Sequence, residues 1–203
     1  MLRLWDLRQA TPASKKAKSQ KKRAIQPAAI SAFDPTIVEG ARRARGLASI
    51  VAGTGPTYGL LFGLGVDSRV HTYAASTLLP MSPPKGTFRH PNMNTNFWVR
   101  LALSPDGRSI ACGSAGSNKG ASAFLFDVSQ TAVAVPAIFP DTTGVELPGQ
   151  KGDVGGVDWA QDMLATCADD GIVRVWRFDP EVRQQCDLED DARWTWTWGV
   201  DSL

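Results

Sequence analysis

Chemistry on a protein needs a nucleophile with its base, a paired acid and base, or a ligand cluster. This chain of 203 residues offers few starts toward any of them. Its histidines are His71 and His90, and its cysteines are Cys112, Cys167 and Cys186. His71 falls in an alternating strand pattern, and His90 stands beside Pro91 in a loop. No Cys-x-x-Cys and no His-Glu-x-x-His occurs, so neither a metal site nor a cofactor is expected. The segment "GSAGSNKGAS" (113–122) fails the spacing of a phosphate-binding loop, and "GTGPTYG" (53–59) is not a dinucleotide fingerprint. Both read as hairpin turns, and no enzymatic activity is expected. The odd number of cysteines and their spacing argue against a disulfide framework and for a reducing compartment.

The remaining residues of note are suited to binding. Six of the nine residues in 15–23 are basic: Lys15, Lys16, Lys18, Lys21, Lys22 and Arg23. Such a run serves as a nuclear-localisation candidate or as a solvated loop. No aromatic residue interleaves with it, so direct nucleic-acid binding by base stacking is not expected. "ARRAR" (41–45) adds positive charge nearby. Near the other end, Trp194, Trp196 and Trp198 alternate with threonines, which puts three indoles on one face of a strand. That pattern fits an outer strand packing on its neighbour, or an aromatic anchor for a partner.

These residues need elements to position them. Net charge is near zero at +2, Gly and Pro are frequent at 19 and 13, and Trp is common at 7. Short strands with many turns produce that mix. The uncharged stretch 46–66 approaches the length of a membrane span. It contains six glycines and Pro56, so it reads as two buried strands around a turn, and no membrane association is expected.

One pattern recurs. "LRLWDL" (2–7) has an echo in "IVRVWRF" (172–178), and weaker ones in "RVHTYAAS" (69–76) and "SAFLFDVS" (122–129). Each later copy follows a strand, a turn and a second strand. "VRLALSPDGRSIACGSAG" (99–116) is the clearest, with Pro105, Asp106 and Gly107 supplying turn dihedrals. A fourth strand fits in each gap, near "AIQPAAISAF", "GTFRHP" and "TGVELPG". Four antiparallel strands recurring at about 50 residues is the signature of β-propeller blades.

The wording of "SPDGRSIACGS", "GQKGDVGGVDW", "LATCADDGIVRVW" and "LRLWDLR" resembles WD-repeat blades. The fold class implied is all-β: a partial WD-repeat propeller of about three four-stranded blades plus one strand of a preceding blade. The divisions expected are 1–8 for that last strand, 9–45 for a basic inter-blade insert, 46–96 and 97–148 for two blades with linkers, 149–179 for a third blade, and 180–203 for an acidic loop and a Trp-rich strand. In order and wording the chain is similar to the C-terminal half of the propeller of the denticleless family. Opening on a blade's third strand, it is expected to be a piece of a larger propeller whose open edges invite pairing with another chain.

The resemblance implies a non-catalytic, nuclear role. Denticleless proteins are substrate receptors of cullin-4 RING ubiquitin ligases, acting on replication and cell-cycle proteins displayed on the clamp PCNA. Trp5, Asp6, Leu7 and Arg8 match the Trp-Asp-x-Arg tetrapeptide through which such receptors meet the ligase adaptor. Trp5 would pack in the blade, Asp6 would orient Arg8, and the guanidinium would reach the rim, where its planar fork suits an interface. WD repeats also carry a buried hydrogen-bond network of His, Ser or Thr, Asp and Trp. Here Gln150, Thr166, Asp170 and Trp176 stand at those places, with Gln150 in place of His. The alternative reading is a generic WD scaffold in another nuclear assembly, in which "WDLR" is only a strand end.

Overall fold

The structure is a computed structural model that describes residues 46–81, 87–116, 121–129, 131 and 144–177, together with the strand pairing of 5–6 and 28–29. Four successive antiparallel sheets follow one another along the chain. The leading pair is β1 (Trp5–Asp6) with β2 (Ala28–Ala29). The first full blade is β3 (Leu47–Ala52), β4 (Leu60–Gly65), β5 (Arg69–Ala74) and β6 (Thr87–Phe88). The second is β7 (Leu101–Leu103), β8 (Ser109–Cys112), β9 (Ala121–Asp127) and β10 (Val145–Gln150). The third has β11 (Val154–Ala160), β12 (Met163–Ala168) and β13 (Val173–Arg177) among the described residues. The repeat grammar therefore emerges as propeller blades.

Two sequence expectations can be followed in detail. A strand stands within "AIQPAAISAF", where one was expected: Ala28–Ala29 pairs with Trp5–Asp6 in a two-stranded leading sheet. The uncharged stretch 46–66 forms β3, a single turn at Gly55–Thr57, and β4. No helix among the described residues is long and apolar enough to cross a membrane.

Local chemistry explains the turns. Ser104 to Gly107 closes β7 onto β8, with Gly107 N–H donating to Ser104 O and Gly107 at φ +72°. Asp106 Oδ1 accepts from Ser104 Oγ and from Arg108 N–H, and these two bonds hold its carboxyl below the usual value. Pro148 falls in β10, the outermost strand, where a missing N–H leaves no inner neighbour unpaired; the register shifts between Leu147 and Gln150.

Strand alternation decides how the blades pack. On β9, Phe124 and Phe126 point to one side and Ala121 and Ala123 to the other, all buried. The phenylalanine side meets Leu60, Phe62, Leu64, Val70 and Phe88 of the first blade in one continuous core. Phe88 and Phe126 meet with ring centroids 6.0 Å apart. The alanine side meets Val154 and the partly buried Leu147, Val157 and Ala168 in a thinner layer toward the third blade. The backbones close in there: Val154 N–H donates to Ser114 O at 2.8 Å, and a Cβ on Gly113 would lie 2.0 Å from Val154 O. The first strands β3, β7 and β11 lie side by side. Leu101 N–H donates to Ser49 Oγ at 3.1 Å, and Trp159 Nε1–H to Ala102 O at 3.3 Å.

Two substitutions separate these packing modes. Phe62→Ala opens a cavity in the aromatic core and is expected to cost about 4 kcal/mol. Gly113→Ala forces the second and third blades apart and is expected to cost about 2 kcal/mol. Urea titration of each variant, followed by far-ultraviolet circular dichroism, checks both. A Gly113→Ala protein as stable as wild type would refute the close approach.

Candidate interaction surfaces

A polar cluster joins the second blade to the third. Gln150, at the end of β10, and Thr166, on β12, are both buried. Gln150 Nε2 donates to Thr166 Oγ1 at 2.5 Å, and the Trp176 indole N–H on β13 donates to the same oxygen at 3.0 Å. Thr166 therefore joins three strands through one hydroxyl. Gln150 Oε1 is buried without a partner among the described residues. Gln brings an oxygen where His would bring a ring, and this site offers that oxygen no donor.

Asp170 stands beside this cluster and makes different bonds. Its carboxylate accepts from Lys151 N–H at 3.0 Å, from Ile172 N–H at 3.0 Å and from Arg174 Nη1 at 3.0 Å. It thus ties the β12–β13 turn to the residue after Gln150 and makes no bond to Gln150 or Thr166 themselves. Burial alone would raise this carboxyl, but the two amides and the guanidinium outweigh it and hold it below its ordinary value. Of the four residues expected to form one network, three share a hydroxyl and the fourth buttresses the turn.

Trp5 and Asp6 lie on β1, and Arg8 falls outside the described residues, as do Lys15, Lys16, Lys18, Lys21, Lys22, Arg23 and the tryptophan-rich segment 192–200. Of the cysteines, Cys112 is buried, with its thiol pushed far up by desolvation, and Cys167 is exposed. A buried thiol of this kind is an apolar filler rather than a nucleophile.

Several surface groups had no signal in the repeat pattern. Phe97 and Trp98, just before β7, are 67% and 75% exposed. Arg100 Nη1 donates to Phe97 O and across to Ala48 O of the neighbouring blade. Glu146 on β10 accepts from Ser122 Oγ at 2.7 Å and from Asn92 Nδ2 at 2.8 Å, and these bonds lower its carboxyl. Asp153 accepts from Gly116 N–H and Asn96 Nδ2, both at 2.6 Å. These bonds link residues 24 to 57 apart in sequence, so no local pattern announces them.

The comparisons with known proteins follow this architecture. No family model matches the chain. Cell division cycle protein cdt2 of Schizosaccharomyces pombe is 30% identical over 125 residues, covering 61% of this chain and 24% of that protein. Denticleless protein homolog A of Xenopus laevis is 31% identical over 144 residues, covering 68% of this chain and 18% of that protein. The chain is a WD-repeat propeller resembling the denticleless proteins. It spans about a quarter or less of the length of these relatives. Among solved structures, the WD40 repeats of RRP9 align at TM-score 0.49 and 14% identity, over 68% of this chain and 37% of that one.

The WD-repeat cluster yields two expectations. Thr166→Val removes the shared acceptor of two donors and is expected to cost about 2 kcal/mol. Asp170→Asn is expected to destabilise the third blade at neutral pH. The lowered carboxyl contributes stability that is fully present above its unfolded value and is lost as pH falls through its lower folded value, so the variant and wild type should converge in acid. Thermal unfolding from neutral to acidic pH checks this, and a difference that persists undiminished in acid would contradict it.

Proposed function

We propose that this chain is a non-catalytic protein-interaction module, part of a nuclear substrate receptor of a cullin-4 RING ubiquitin ligase. The observation that carries this reading is the likeness to cell division cycle protein cdt2 and the denticleless homologues across the blades. The Trp5-Asp6-Leu7-Arg8 tetrapeptide supports it, because Trp5 and Asp6 form β1 and Arg8 follows that strand by two residues. In this reading Arg8 contacts the ligase adaptor, with Trp5 and Asp6 setting its direction. The same blades hold replication and cell-cycle proteins, including those displayed on PCNA, for ubiquitination and proteasomal degradation. The basic run 15–23 directs the chain to the nucleus. Binding rests on residues of the rim and loops, where arginine and aromatic side chains dominate interface energy.

A pull-down of the purified ligase adaptor tests the assignment. Wild-type protein is expected to retain the adaptor, and Arg8→Ala to lose roughly 90% of it, as removal of an interface anchor worth about 1.4 kcal/mol or more does. Equal recovery from both would remove Arg8 from the interface. Failure of wild type to retain any adaptor would favour a WD scaffold of another nuclear assembly.

A further inference from the structure

The β5–β6 edge of the first blade carries an arrangement that its own stability does not explain. The register pairs Val70 with Phe88 and His71 with Thr87. Arg69 opens β5 and Arg89 follows β6, so each is the next residue out from the Val70–Phe88 pair, and continuing that register would set them opposite each other. Residues opposed in an antiparallel pair are neighbours, and like charges so placed repel. Among the described residues, neither arginine has a carboxylate within ion-pairing distance. Both are exposed and line a cavity of about 270 Å³, together with Asp67, Ser68, His90, Pro91 and Met93.

The rest of the lining favours an anion. Asp67 is its one carboxylate, and both Asp67 oxygens lie 3.1 Å from Nε2 of the buried His71. Two guanidiniums against one such carboxylate leave an excess positive charge. Ser68 Oγ accepts the Thr95 N–H, which leaves its own hydrogen free to donate. Ser68 also holds φ at +59° in the β4–β5 turn, a conformation non-glycine residues seldom adopt. His90 is fixed by its ring contact with Phe124 at 4.8 Å and by the Asn92 N–H donated to its Nδ1; the Glu146 carboxylate lies 4.0 Å from that nitrogen, outside the lining and already accepting from Ser122 and Asn92.

We infer that this cavity binds a phosphorylated side chain of a partner protein, with the Arg69 and Arg89 guanidiniums gripping the phosphate oxygens. A phosphate monoester carries close to two negative charges and acceptor oxygens that match two planar forks. Its charge would relieve the repulsion between the opposed arginines. The choice of a protein ligand rests on the interaction-module reading above, and it makes the receptor's selection of partners dependent on their phosphorylation.

The test uses the whole chain and a capped pentapeptide, alanine on either side of a central phosphothreonine, in an amide nuclear magnetic resonance titration. Shifts are expected at the β4–β5 turn and after β6, with roughly tenfold tighter binding than the unphosphorylated peptide. Inorganic phosphate is expected to compete. Arg69→Ala and Arg89→Ala are each expected to weaken binding roughly tenfold, whereas Arg177→Ala, far along the chain on β13, leaves it unchanged. Arg89→Glu supplies an independent readout: it should abolish binding yet raise the unliganded melting temperature, because it turns a repulsion into a pair. Equal binding of both peptides overturns the proposal, as does insensitivity to Arg69→Ala and Arg89→Ala. Preference for phosphatidic acid vesicles over the peptide would reassign the cavity to a lipid surface and likewise overturn it. The adaptor pull-down on the same variants separates the two readings: retained adaptor with no phosphopeptide binding rejects the cavity alone.

Discussion

The structure depends on the two unequal faces of β9. Alternation sends Phe124 and Phe126 to one side and Ala121 and Ala123 to the other. The first side needs bulk opposite it, and Phe62, Leu64 and Phe88 supply that bulk. The second side needs a close neighbour, because alanine cannot fill a wide gap. The third blade comes near enough for Gly113 to face the Val154 carbonyl with no room for a side chain. Packing at interior density tolerates neither a void on the first side nor a methyl group on the second. The spacing between blades thus follows from side-chain volume on one strand.

Polar groups then fix what apolar packing leaves free. Apolar contact sets a distance between blades but little registry along it. Thr57 Oγ1 bonding to Gly107 O, Trp159 Nε1 to Ala102 O, and Asn96 Nδ2 to Asp153 each tie one blade's loop or strand to the next. The hydroxyl of Thr166 performs the same task, accepting from Gln150 on β10 of the second blade and from Trp176 on β13 of the third. Replacing His by Gln at position 150 keeps the donor and leaves one amide oxygen unsatisfied. That buried oxygen is a cost the apolar layer must offset.

Function on such a scaffold lies in what the loops present. The turns and blade-to-blade connections carry the exposed Phe97 and Trp98, the opposed Arg69 and Arg89, and the acidic Asp153. Loops held at both ends by rigid strands offer fixed groups at little entropic cost. The strained Ser68 turn is one such loop, kept in place by the Thr95 amide from the following connection.

By itself the sequence determined the repeats, their strand–turn–strand order, and the residues at each turn. Those features are local: alternation has a period of two, and Pro105, Asp106 and Gly107 act within four residues. It likewise marked Gln150, Thr166 and Trp176 as a set, because repeat position places them in corresponding strands. It mistook the role of Asp170, whose carboxylate prefers the Lys151 amide that only the folded β10–β11 turn brings near. It placed a strand within "AIQPAAISAF", but that Ala28–Ala29 pairs with Trp5–Asp6 is visible only in the folded sheet. Tertiary structure alone decided the bonds of Glu146 and Asp153 and the gathering of Arg69 and Arg89 at one cavity, because strand register and blade packing join residues that the chain keeps 20 or more apart.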